Sequence, residues 1–133
     1  MLRWVFLIAW TMHGLGHVAG VLGAFLGPRA SGFKTENPWV LPGNALVTGA
    51  IGKLWSVFWL ASVALIVASS WGLFQDAEWW RQVALYGSIA SLIAILPWVR
   101  TVVSGALAGA AFSAGVIVML TIPLDGLLRL IER

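Results

Sequence analysis

Apolar residues fall in four long runs along this chain, and the polar ones gather between them. The runs cover residues 4–26, 54–74, 79–99 and 101–124. Each is close to the roughly 20 residues a helix needs to cross about 30 Å of hydrocarbon. None shows the period-two alternation of a barrel strand, and helices satisfy their own backbone amides in lipid. The pattern predicts an all-α integral membrane protein: one four-span domain, an up-down bundle of four transmembrane helices with a long first loop. The first run begins like a signal peptide, with Arg3, an apolar core and then small residues, and is read here as a membrane helix.

The connections sharpen this layout. GLFQDAE is short, and Pro97 with Arg100 marks a tight turn, so consecutive helices are antiparallel neighbours. Residues 27–53 form the long first connection, whose three prolines, Trp39 and apolar second half predict an ordered segment, with 45–52 beginning the second helix or lying along the interface and Lys53 reaching the headgroups. Trp4, Trp71, Trp79 and Trp80 are expected in one aromatic belt and Trp39, Trp55 and Trp98 in the other, with Trp10 and Trp59 packed deeper. After Pro123 the chain reads LDGLLRLIER. Leu124, Leu127, Leu128 and Ile131 recur at helical spacing, which predicts a short amphipathic C-terminal tail at the interface, with Asp125 and Arg129 paired across one turn.

Composition agrees with the pattern. The chain has 133 residues, 60% hydrophobic and 10% charged, with a mean hydropathy of +0.93. That is too little charge to clothe a soluble domain, so the expected partners are the lipid bilayer and other membrane helices. The net charge of +3 comes from basic residues scattered singly, which gives nucleic-acid binding no support. Arg3, Arg81, Arg129 and Arg133 fall on the side of the termini, and Arg29, Lys34, Lys53 and Arg100 on the other. Both termini therefore share a side, and the even split leaves the orientation open. There is no cysteine, hence no disulfide or thiolate chemistry.

The candidate chemistry sits in the first run, as HGLGH. His13 and His17 are the chain's only two histidines. Four residues apart on a helix, they lie about 40° from one another on a single face. Ala9, Gly16, Gly20, Ala24 and Gly27 share that face, and Gly105, Gly109 and Ser113 repeat at fourfold spacing in the last run. Small residues let helices approach closely, so the two faces are expected to pack together or to dock a partner chain. Gly16, Gly20, Gly27, Gly105, Gly109 and Ser113 are the candidate packing positions. Imidazoles in hydrocarbon need hydrogen-bond partners, for which Thr11, Thr48, Ser56, Ser62, Tyr86, Ser88, Ser91 and Ser104 are at hand.

The pair could instead hold a metal ion, ligate a tetrapyrrole or serve a transport path. A metal ion would need a third ligand, and no carboxylate or cysteine lies within a run. Haem or chlorophyll needs only one axial histidine on a flat, glycine-rich face, and Ala9-x-x-x-His13 is similar to the alanine-x-x-x-histidine pattern of bacterial light-harvesting polypeptides. Cofactor binding by His13 or His17 is thus an alternative function, and a small membrane transporter is a second. No phosphate loop, paired carboxylates or nucleophile with base and acid is present, so no catalytic residue is assigned. Four runs, a long first loop and a histidine-glycine in the first helix resemble the layout of the DoxX-like membrane proteins, a likeness that carries no functional residue across. Small multidrug transporters share the size but are built on a glutamate in the first helix, where this chain has none. The expected function is a non-catalytic accessory or helix-docking subunit of a membrane assembly.

Overall fold

The computed structural model describes residues 1–34, 45–102, 105–122 and 125–132, and all the regular structure in them is helical. The elements are α1 (Leu2–Gly16), α2 (Val18–Leu26), α3 (Pro28–Ser31), α4 (Ala50–Phe74), α5 (Trp80–Ile95), a 3₁₀ turn (Leu96–Trp98), α6 (Gly105–Thr121) and α7 (Asp125–Glu132). Two helices are long and apolar enough to cross a membrane, Leu2–Leu26 (α1 and α2 together) and Ala50–Phe74.

Their bounds differ from the apolar runs for local reasons. The second helix starts at Ala50 rather than 54, after Gly49 in extended conformation. The third ends at Ile95, because Pro97 cannot continue an α-helix and a 3₁₀ turn takes over. Thr101 and Val102 belong to that buried turn, so the fourth begins at Gly105 and not at 101. Gly27 (φ 90°) ends α2, and Pro28 opens α3 at its first position.

Between α4 and α5 the chain reverses in a Schellman-type turn. The Ala77 N–H donates to the Gly72 carbonyl and the Asp76 N–H to the Leu73 carbonyl. Asp76, at φ 56°, occupies the left-handed position usually held by glycine. The α4–α5 hairpin is the centre of the molecule; α1 lies along α4, α6 along α5, and α7 folds back on the start of α1.

Two apolar cores result. Phe6, Leu7, Trp10, Ile66, Leu73, Trp80, Val116, Leu128 and Ile131 fill the end where the termini meet. Ala24, Phe33, Val47, Trp59, Ile95, Trp98 and Val102 fill the other. The C-terminal segment is therefore bundle core on its apolar face; the expected Asp125–Arg129 pair lies outside the described side chains. Trp80 and Trp98, expected in interfacial belts, are buried core residues, while Trp4, Trp71 and Trp79 are exposed and Trp10 and Trp59 are buried as expected. The prediction of an ordered segment around Trp39 falls outside the described residues.

Beside the apolar cores, several serines are buried while large apolar side chains face outward. Ser62, Ser69, Ser88, Ser91 and Ser113 are fully buried, whereas Ile8, Leu15, Leu26, Leu54, Leu60 and Leu107 face outward. Most of the buried serines donate to carbonyls of their own helix, as Ser62 does to Phe58 and Ser88 to Ala84, which satisfies the hydroxyl without a polar partner from outside.

Candidate functional site

Between the two cores, α1, α5 and α6 each place hydroxyl or imidazole groups in one layer. His17 interrupts the helical ladder. Its backbone N–H donates to the Gly14 carbonyl, three residues back, at 3.1 Å. Its ring Nδ1 takes the His13 carbonyl at 3.0 Å, the acceptor a regular α-helix reserves for the His17 N–H. The side chain thus substitutes for the main chain, and the first helix passes through a tighter turn there, continued by Gly20 N–H to the His17 carbonyl at 3.0 Å.

The other ring nitrogens meet serines from the facing helices. His17 Nε2 lies 2.9 Å from Ser91 Oγ on α5, and His13 Nε2 lies 2.8 Å from Ser113 Oγ on α6 and 3.2 Å from Ser91 Oγ. Ser113 donates to Ser91 at 2.9 Å, closing the layer. Trp10 and Phe112 flank the His13 ring, and the two imidazoles stand edge to face with centroids 4.8 Å apart. Above them Trp10 Nε1 donates to Ser69 at 2.8 Å.

The glycine faces are used in different ways. At Gly20 a Cβ would run into the Trp59 ring, and at Gly109 it would fall 2.9 Å from His13 Nδ1. Those two glycines are occupied by aromatic rings of this same chain. At Gly16, Gly27 and Gly105 a Cβ would meet no atom of the described residues within 4 Å. The first helix and α6 therefore face each other across a gap bridged by the His13 ring. The gap is a cavity of about 240 Å3 lined by Met12, His13, Gly16, His17, Gly20, Gly105 and Gly109, and by Trp59 and Phe33. It reaches the outside between Met12, Gly16 and Gly105, which are exposed.

Of the eight hydroxyls expected to serve the histidines, Ser91 does so. Ser56, Ser62 and Ser88 bond their own helix carbonyls, Tyr86 is exposed, and Ser104 lies outside the described residues. Ser113, a packing position by sequence pattern, is the second hydroxyl partner. The signal for it was present: it sits on the small-residue face opposite HGLGH, where its hydroxyl is the one polar group of that stripe.

Among the described residues, no third histidine, cysteine or carboxylate joins the imidazoles to complete a metal site. For an axial bond to haem iron or chlorophyll magnesium, either Nε2 would first have to surrender its serine. Of the four imidazole nitrogens, His13 Nδ1 is the one without a hydrogen-bond partner among the described residues, and it lies beside Gly109, where a Cβ would crowd it. The charged groups lie elsewhere. Arg3 donates to the Leu73 carbonyl at 2.6 Å, the Phe74 carbonyl at 3.2 Å and the Glu132 carbonyl at 3.1 Å, and pairs with Asp76 at 2.7 Å. Arg81 pairs with Glu132 beside it.

No protein family, curated protein or solved structure matches the chain.

Proposed function

We propose that this protein is a non-catalytic four-span membrane protein that docks helices of a membrane assembly through the outer face of α6. Support for the membrane begins with the surface, where large apolar side chains face outward on α1, α4, α5 and α6. Such a continuous apolar exterior is untenable in water and ordinary in lipid. The third and fourth spans are shorter than the first two. Residues 80–98 and Gly105–Thr121 are helical, the latter 17 residues or about 25 Å long, near the lower limit for a crossing.

The observation that carries the docking reading is that α6 is held along one side by α5 while Ala108, Ala111 and Gly115 lie exposed together on another. Without side-chain bulk, that face offers lipid little contact and a partner helix close approach. The histidine–serine layer is consistent with a structural role, since its members satisfy one another. Ligation of a tetrapyrrole would cost it those bonds, and a proton path for transport finds no acid beside the imidazoles among the described residues.

A spin label at Ala111→Cys, read by collision with lipid-dissolved oxygen in native membranes, tests the reading. Position 111 should be several-fold less accessible than Leu60→Cys, which is exposed on α4. Equal accessibility would leave α6 facing lipid and remove the docking role.

A further inference from the structure

We propose that the cleft between the first helix and α6 binds a ring-sized, lipid-soluble molecule that presents a single O–H to His13 Nδ1. This goes beyond the docking reading, which concerns the opposite face of α6, and does not depend on it.

A backbone carbonyl accepts a hydrogen bond and cannot donate one. The His13 carbonyl lies 3.0 Å from His17 Nδ1, so that nitrogen carries a proton. In the neutral imidazole, His17 Nε2 is then a lone pair, and Ser91, 2.9 Å away, donates to it. With its own proton committed, Ser91 receives one from Ser113 at 2.9 Å. Ser113 has then spent its proton too, so the 2.8 Å contact with His13 must be a donation from Nε2–H to the Ser113 oxygen. The chain of bonds runs in one direction, and it leaves His13 Nδ1 as a lone pair.

That lone pair is the part of the layer left over. His13 lines the cavity, and no described residue donates to Nδ1. His17 also lines the cavity, but both of its ring nitrogens are already bonded, to the His13 carbonyl and to Ser91; most of the remaining wall is apolar, with Ala19, Gly20, Ile95, Val102 and Ala106. A largely apolar pocket with one oriented polar group is the usual form of a small-molecule site. The polar group here accepts, so the ligand must donate. A dry cavity of about 150 Å3 takes benzene, and the roughly 240 Å3 available here suits a substituted ring. Entry from lipid past Met12, Gly16 and Gly105 requires the molecule to be neutral and apolar over most of its surface.

The test uses the full chain in lipid nanodiscs with ¹⁵N-labelled histidine, and 4-ethylphenol as probe. The imidazole spectrum should show the unprotonated nitrogen of His13 to be Nδ1 and that of His17 to be Nε2. Titration with 4-ethylphenol should shift His13 Nδ1 saturably. Its methyl ether, 4-ethylanisole, has the same body without the donor and should bind about five- to tenfold more weakly, the worth of one hydrogen bond. Gly105→Leu fills the mouth at a position with free space around it and should abolish binding of both without altering the His17 signals. A proton on His13 Nδ1, equal affinity for phenol and ether, no saturable shift, or unchanged binding to Gly105→Leu would each overturn the proposal.

Discussion

Around Arg3 the helices are filled in and tied together; toward the other end, between the first helix and α6, they stand apart. At the first end Phe6, Trp10, Trp80 and Phe112 interleave their rings, and Arg3 caps the carbonyls that end α4 while reaching the last turn of α7. At the second, Gly16 and Gly105 border open space. The same residue type serves both regimes. Gly20 and Gly109 are indented by Trp59 and His13, and Gly16 and Gly105 are not indented by any described residue. In this bundle a small residue marks where something fits, and only the opposite wall reveals whether this chain supplies it.

The largest effect should come from exchanging the two kinds of glycine. Gly20→Leu drives a branched side chain into the buried Trp59 ring and should cost about 3 kcal/mol or more. Gly16→Ala should be neutral or slightly stabilising, since it adds helix propensity without a clash. Unfolding in detergent followed by tryptophan fluorescence measures both. Equal losses would mean that the cleft is as tightly filled as the Trp59 contact.

The hydrogen-bonded layer between the two ends comes next. Ser91→Ala removes the donor to His17 Nε2 and the acceptor of Ser113, leaving a buried lone pair unmet at a cost of about 1–3 kcal/mol. Ser113→Ala should cost less, because His13 Nε2 keeps Ser91 at 3.2 Å. The reverse order in the same unfolding assay would contradict the direction assigned to the chain of bonds.

The layer also shows how far the sequence alone reaches. Helical class, the sharing of one face by His13 and His17, and their need of hydroxyl partners follow from spacing and hydropathy. The choice of Ser113 does not, because whether a serine on a small-residue stripe packs or hydrogen-bonds depends on the rotation of α6 about its axis. Pattern likewise cannot separate Trp98 in the core from a tryptophan at the interface, since both sit at the end of an apolar run. The ends of runs mislead for a related reason: Thr101 and Val102 are apolar or small enough to extend a helix, yet they are buried in the turn that Pro97 enforces.

The smallest effects should lie at the charged end. Arg3→Ala loses three carbonyl contacts and the Asp76 pair; with Asp76 largely exposed, about 1–2 kcal/mol is expected. Arg81→Gln loses an exposed pair with Glu132 and should cost under about 1 kcal/mol, vanishing in high salt. Thermal unfolding at low and high ionic strength distinguishes them. A salt-insensitive Arg81→Gln loss larger than that of Arg3→Ala would show that the latch lies with Arg81.

Central to the whole account is that the apolar exterior faces lipid. Because the chain has no cysteine, single cysteines can be placed at Lys34, Leu60, Gln75 and Arg100, all exposed, and labelled in sealed vesicles with a membrane-impermeant maleimide. Four crossings predict that Gln75→Cys labels from one side only, that Lys34→Cys and Arg100→Cys label from the opposite side only, and that Leu60→Cys labels from neither until detergent is added. Ready labelling of Leu60→Cys in intact vesicles, or of Gln75→Cys and Arg100→Cys from the same side, would contradict it.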